Sequence, residues 1–181
     1  MKVGQMPKEN DFVVPSNYDK YGAITIRKAR QVDSGAIWEI HIKAIKEVCK
    51  SHYSERELQI WTEVLKPGRY DEQIRKGPFY VAVAGESIIA FGNLNQKSGE
   101  IEALYVHPDH VRRGVGIKIL QALESEALDS GLKLLRLTSS LNAVRFYEMA
   151  GYKPQQQKSW LLPSEMVVCV QMIKELAVTT E

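Results

Sequence analysis

The residues best suited to chemistry lie in one segment of the second half of the chain, where Gly114 and Gly116 follow an apolar run and a proline. A helix is predicted to begin at these glycines, and the first amides of a helix have no partner within it. The positive end of the helix dipole and the close approach that glycine permits favour a phosphate or pyrophosphate there. Arg112 and Arg113 add positive charge. The segment therefore predicts a phosphate cradle.

This signal is weak by itself. A Gly-x-Gly pair at a helix start is also typical of a simple tight turn, and two arginines are as often a solvated basic edge. The segment lacks the glycine-lysine spacing of a P-loop and the third glycine of a dinucleotide-binding fold. Both structural alternatives stay open at this point.

A second segment, NAVRFYEMAGY at 142–152, gives the cradle its context. Together with VHP at 106–108 and RGVG at 113–116, it closely resembles the GCN5-related N-acetyltransferase (GNAT) family. The resemblance extends over about residues 23–176. The pair of motifs at this separation is specific, whereas either motif alone is not.

The resemblance implies acetyl-CoA as co-substrate. In that family, the strand before the loop binds the pantetheine arm through its backbone, and the loop binds the pyrophosphate. The implied cofactor-binding residues are Leu104, Tyr105, Val106, Val111, Arg112, Arg113, Gly114, Val115, Gly116 and Asn142. Asn142 has a second interpretation as a helix N-cap. Val111 stands where the family usually has Gln or Arg, and Arg112 where glycine is frequent, but a cradle of backbone N–H groups does not depend on those side chains.

Two catalytic residues are expected, Tyr147 from the same resemblance and Glu102 from its place on the strand. Tyr147 resembles the tyrosine that protonates the departing thiolate, and its alternative is packing of the helix onto the sheet. Glu102 is the candidate base that removes a proton from the acceptor amine, directly or through a water. We expect Glu102 to share a strand face with Leu104 and Val106 and to be partly buried. Its alternative is a solvated carboxylate at the strand end.

These roles predict direct transfer of an acetyl group from acetyl-CoA to a primary amine. The alternative is a non-catalytic acyl-CoA-binding or regulatory module on the same fold. An acceptor pocket is expected between the helices at 33–65 and the last hairpin, with His41 and His52 as further residues that could touch substrate. The aromatic residues that could line the pocket, or belong to the core, are Trp38, Tyr53, Trp61, Tyr80 and Trp160.

The elements that must position these groups follow from periodicity and turn residues. Asp33 is predicted to cap a first helix, and Ser54 with Glu57 forms a capping-box pattern for a second. The predicted strands are 23–27, 79–84, 87–94, 100–106, 132–138, 152–162 and 165–173, with a long helix through Leu128 and another over 142–150. The fold class is α/β: a mixed, mostly antiparallel central sheet with helices on both faces, as in GNAT-like acyl-CoA acyltransferases.

Composition bounds the remaining possibilities. The 181 residues predict one domain over 23–176, with a loosely ordered extension at 1–22 and a tail at 177–181. The net charge is +2 without a basic block, and we find no apolar run long enough to span a bilayer, so we expect neither nucleic acid nor membrane as partner. Cys49 and Cys169 are expected to be buried and reduced, in a cytoplasmic protein without a metal site. A homodimer stays open.

Overall fold

The computed structural model describes residues 23–177, so the predicted extension over 1–22 and residues 178–181 lie outside the described part of the chain. The strands are β1 (Ile24–Lys28), β2 (Phe79–Ala84), β3 (Ser87–Asn95), β4 (Glu100–Val106), β5 (Leu134–Ser140), β6 (Lys153–Leu161) and β7 (Met166–Glu175). The helices are α1 (Ser34–Val48), α2 (Glu55–Glu63), α3 (Arg69–Lys76), α4 (Val115–Asp129) and α5 (Val144–Met149). Three-residue 3-10 turns lie at Gln31–Asp33, Pro108–His110 and Leu141–Ala143.

The strands form one sheet in the order β1-β2-β3-β4-β5-β7-β6. Every neighbouring pair is antiparallel except β4 and β5, which are parallel because α4 carries the chain back between them. Helices cover both faces. Phe91 of β3 packs in one cluster with residues of α1 and α3, whereas the neighbouring Gly92 faces Ile119 of α4. The predicted α/β class with a mixed, mostly antiparallel sheet is confirmed.

Two irregularities in β4 shape the molecule. First, only Glu100 and Ile101 pair with β5, so the two strands part over the rest of β4. Second, Asn93 of β3 pairs with Ala103 and Leu94 pairs with Ile101, which leaves Glu102 as an extra residue in a β-bulge. A bulge interrupts the alternation of side chains between the two faces of a sheet and bends the strand. Both features lie where the sequence predicts the cofactor to bind.

The helix starts follow local hydrogen bonds, and one prediction about them is wrong. Ser54 caps α2 as expected: its hydroxyl accepts from the Glu57 amide, and the Glu57 carboxylate accepts from the Ser54 amide at 2.7 Å. Asp33 makes no such bond to α1. Its carboxylate instead accepts from the Arg30 amide and pairs with Arg27, both at 2.7 Å, and the Arg27 hydrogen bond lowers the Asp33 pKa. The carboxylate therefore ties β1 to the turn before the helix.

Candidate active site

A narrow cleft opens where β4 and β5 part. It encloses a cavity of about 40 Å³ and is lined by β4, β5, the residues around the start of α5, and Trp160. Leu104 and Tyr105 line this cleft and Val106 does not, while Leu104 and Val106 both pack against the main core cluster. The β5-facing edge of β4 has no strand partner beyond Ile101, so its backbone N–H and C=O groups are left to bind an extended amide-containing chain.

Tyr147 reaches the same cleft from α5. Its side chain is 6% exposed, and its hydroxyl makes no hydrogen bond to any described residue. Burial raises the pKa of this hydroxyl above its ordinary value, so the phenol is protonated across the neutral range. The structure thus holds a protonated, unpartnered donor beside the unpaired edge of β4. A tyrosine that only packed the core would not need to line the cleft. Tyr147 does both, since its ring also belongs to the main core cluster.

The side chain of Tyr105, for which the sequence indicated no role, contacts a buried histidine. Its ring lies 3.9 Å from the His41 ring, measured between centroids, and burial raises the pKa of its hydroxyl. His41 is buried behind it, with Nδ1 bonded to the Tyr70 hydroxyl at 2.7 Å and Nε2 without a partner among the described residues. Burial lowers the His41 pKa to about 3, so this histidine is neutral. His52, by contrast, is exposed and bonds to Ser51.

Glu102 lines the cleft, but the expectation about its face and burial is wrong. The bulge turns its side chain toward Asn93, away from the face shared by Leu104 and Val106, and the residue is exposed. Its two carboxylate oxygens accept hydrogen bonds from the side-chain amides of Asn93 at 2.8 Å and Asn95 at 3.1 Å. Sequence reasoning missed both asparagines. Asparagine is depleted in strand interiors, and that depletion is the signal that could have found them.

The glycine loop leads from β4 directly to the start of α4. Gly114 is the N-cap of α4 and adopts a left-handed conformation at φ +74°, which glycine accommodates without strain. Arg112, which stands where glycine is frequent in the family, also has a left-handed φ of +59°. The backbone of Arg112 is therefore strained, because a residue with a side chain rarely adopts this conformation. A Cβ on Gly116 would lie 3.4 Å from the Phe146 ring and 3.5 Å from Val106. Val111 is extended, and Val115 begins the helix.

Asn142 lies in the 3-10 turn before α5, and its side chain does not cap either helix, so the N-cap interpretation is wrong. Its side chain, like that of Ser140, lies beside the Cys49 thiol, whose pKa burial raises to about 11. The Asn142 Oδ1 atom is buried without a hydrogen-bond partner among the described residues. A buried acceptor of this kind suits an N–H group of a ligand.

Four of the five aromatic residues pack together in one core cluster, and of the five only Trp160 lines the cleft. Tyr53, Trp61 and Trp160 form edge-to-face contacts at 5.5 and 5.7 Å, with Trp38 packed against the same cluster. The Tyr53 hydroxyl ties this cluster to the cleft, since it accepts from the Leu141 amide at 2.8 Å. Tyr80 lies on the other side of the sheet and donates to Glu126 of α4.

Among residues 23–177, none of the helices has the length and apolar character needed to cross a membrane. No group of three or more His, Cys, Asp or Glu side chains in that range could hold a metal ion. Cys49 and Cys169 are both buried and unbridged, as expected.

Comparison with known proteins places this geometry in a family. The profile described as "Acetyltransferase (GNAT) domain" matches residues 49–176. The chain is 27% identical over 138 residues to the uncharacterised N-acetyltransferase YafP of Escherichia coli (strain K12), covering 75% of this chain and 85% of YafP. Among solved structures, it superposes on the GCN5-related N-acetyltransferase from Rhodopseudomonas palustris with a TM-score of 0.80, at 25% identity, covering 84% of this chain and 95% of that chain.

The fold is also that of PaiA N-acetyltransferase from Thermoplasma acidophilum in complex with coenzyme A. The TM-score is 0.72 and the identity 23%, over 85% of this chain and 99% of that chain. The family profile covers most of the sequence and includes the glycine loop, the parted strands and Tyr147. This chain belongs to the GNAT family of N-acetyltransferases.

Proposed function

We propose that this chain transfers the acetyl group of acetyl-CoA directly to a primary amine, without a covalent enzyme intermediate. One observation carries the proposal: an unpaired strand edge and an unpartnered buried phenol line one cleft, and the glycine-led start of α4 lies against Phe146, the residue before that phenol. The edge suits the amides of pantetheine, and the helix start suits the pyrophosphate. The buried, unpartnered Oδ1 of Asn142 fits an additional N–H of the same ligand.

The reaction needs proton transfers at two places, the acceptor nitrogen and the departing sulfur. The protonated amine must lose a proton before its nitrogen can attack, and in our proposal Glu102 accepts it, directly or through a water. The amine nitrogen then bonds to the thioester carbonyl carbon and becomes positively charged. The carbon–sulfur bond breaks as the carbonyl re-forms, and the nitrogen gives its second proton to solvent, from which Tyr147 regains the proton that it donates. The departing thiolate takes a hydrogen bond and finally a proton from Tyr147, whose hydroxyl has no competing partner among the described residues. The products are an N-acetylated amine and free CoA.

Glu102→Gln tests the base. The substitution keeps the side-chain size and removes the proton acceptor, so we expect kcat to fall on the order of 10²- to 10⁴-fold while the Kd for acetyl-CoA stays within about twofold. The rate of both proteins is measured over a range of pH, and the Kd for acetyl-CoA is measured for each. A variant with the wild-type rate and the wild-type pH–rate profile would make Glu102 a solvated carboxylate.

A binding measurement followed by a turnover measurement tests the function itself. Acetyl-CoA should raise the melting temperature, because a ligand that binds only the folded state stabilises it by mass action. Thiol release is then followed with a panel of n-butylamine, putrescine, glycinamide and a lysine-containing tetrapeptide. Binding without turnover of any amine would favour the non-catalytic acyl-CoA-binding alternative, for which Val111 and the strained Arg112 are the supporting observations.

We also propose that the protein is cytoplasmic. The support is that Cys49 and Cys169 are both unbridged and buried, as is usual where thiols are kept reduced. The identity of the acceptor amine and the pairing of two copies into a homodimer are separate questions, and the amine panel and a sizing experiment address them directly.

A further inference from the structure

Asn93 is a buried polar residue in the middle of an apolar strand, on the side of β4 away from the cleft. Its side chain is 5% exposed. The Nδ2 atom donates to Glu102 at 2.8 Å, whereas the Oδ1 atom is buried with no hydrogen-bond partner among the described residues. The neighbouring carboxylate fixes this orientation, because a flipped amide would turn one oxygen against another.

This arrangement is poor for stability. A buried amide oxygen without a partner loses its hydration and gains nothing in return, and an apolar side chain of the same size would avoid that loss. The one hydrogen bond that Asn93 makes is to a carboxylate that is itself exposed and could be hydrated by water instead. The polar side chain is therefore not explained by the folding of the strand, and its single partner is the residue proposed as the base.

We propose that Asn93 is a positioning residue for the acetyl transfer, which holds the Glu102 carboxylate in the orientation that receives the amine proton. This inference rests on the proposed function. The bulge at Glu102 determines the face of the sheet on which the carboxylate lies. The hydrogen bond from the buried Asn93 amide then fixes the rotation of that carboxylate. Asn95 is half-buried, but its hydrogen bond to the other carboxylate oxygen is exposed to solvent, where water can replace it.

The first part of the test compares stability with turnover in Asn93→Leu. We expect an equal or higher melting temperature than wild type, because the orphaned acceptor is removed. The KM for acetyl-CoA should be unchanged. The kcat, measured by thiol release with whichever of the four panel amines the wild type acetylates fastest, should fall about 10- to 100-fold, the range expected for a hydrogen bond to a charged group. Asn95→Leu is the matched control and should lose less than about threefold, because water satisfies an exposed carboxylate oxygen.

The second part is a double-mutant cycle with Glu102→Gln, because residues that act as one unit show non-additive effects. If Asn93 acts through Glu102, adding Asn93→Leu to Glu102→Gln should cost no further kcat. Equal losses in both backgrounds would overturn the inference and leave the proposed function intact. A lower melting temperature with unchanged kcat would give Asn93 a purely structural role and also overturn it. Should Asn93→Leu fail to fold, Asn93→Ser enters the same cycle.

The two proposals fail in different ways. A wild-type rate in Glu102→Gln removes the base from the proposed reaction, and the role of Asn93 falls with it. A slow Glu102→Gln together with a fully active Asn93→Leu removes only the role of Asn93.

Discussion

Replacing Tyr147 by phenylalanine separates catalysis from packing in this site. The hydroxyl makes no hydrogen bond to a described residue, so its removal breaks no protein contact, while the ring keeps its contacts with Phe146 and Tyr152. The free energy of unfolding should therefore change by less than about 1 kcal/mol. Cofactor affinity should also survive, because the phenol is proposed to act on the sulfur only as charge develops there.

Turnover should respond very differently. Loss of the donor at the leaving thiolate is expected to lower kcat by ~10²-fold, which corresponds to about 2.7 kcal/mol in the activation free energy. Since burial raises the pKa of Tyr147, the wild-type phenol keeps its proton through the neutral and mildly alkaline range. Deprotonation of Tyr147 should therefore cause no fall in the wild-type rate between about pH 7 and pH 9.

The assay is thiol release under conditions in which the chemical step limits, paired with urea unfolding of each protein. Tyr152→Phe is the matched control, because it removes a buried hydroxyl from a ring that contacts Tyr147 at 5.7 Å but does not line the cleft. The control should keep the wild-type kcat. If Tyr147→Phe also keeps it, the tyrosine has no part in the mechanism; if Tyr147→Phe unfolds, the residue is a core tyrosine.

Three further substitutions test the framework around the cleft. Gly92→Ala should lower the free energy of unfolding by about 1–3 kcal/mol in urea titrations, because its Cβ would lie 2.7 Å from Ile119 Cγ2; an unchanged midpoint would refute close packing of α4 on β3. Gly116→Val should reduce the thermal shift produced by CoA, since side-chain bulk would enter the start of α4; a full shift would exclude this amide from the cradle. The His41 pKa falls from its ordinary value to about 3 on folding, so the unfolded chain binds more protons than the folded one between about pH 6.5 and 3. The free energy of unfolding should therefore decrease as pH falls through that window, by up to about 1.4 kcal/mol per pH unit. His41→Phe should flatten that part of the pH–stability curve, and an equally steep curve in the variant would assign the slope to other groups.

Sequence patterns predicted those parts of the fold that depend on local chemistry. The capping box at Ser54 and Glu57 and the mixed, mostly antiparallel sheet both follow from residues close in the chain. Asp33 illustrates the limit of such patterns. It has the residue type and position of an N-cap, but Arg27 and the Arg30 amide compete for the carboxylate and win.

The motifs of the candidate site could be predicted from the sequence. The face of the sheet on which each side chain lies could not. The glycine loop and Tyr147 belong to motifs with fixed spacing, and the structure brings Gly116 against Phe146, the neighbour of Tyr147. Glu102 changes face because of a one-residue bulge, which period-two reasoning along a strand cannot detect. The surroundings of His41 depend on contacts with elements far away in the chain, such as that with Tyr105, so no local pattern indicates them.

A stoichiometric incubation followed by mass spectrometry tests the central claim most directly. The protein is mixed with acetyl-CoA labelled with ¹³C in the acetyl group, and each amine of the panel is added in turn. Direct transfer predicts an N-acetylated amine that carries the label, one CoA thiol released per amide formed, and no mass added to the protein chain. Labelled acetyl on the protein itself, or acetyl-CoA that binds and remains intact with every amine, would contradict the proposed reaction.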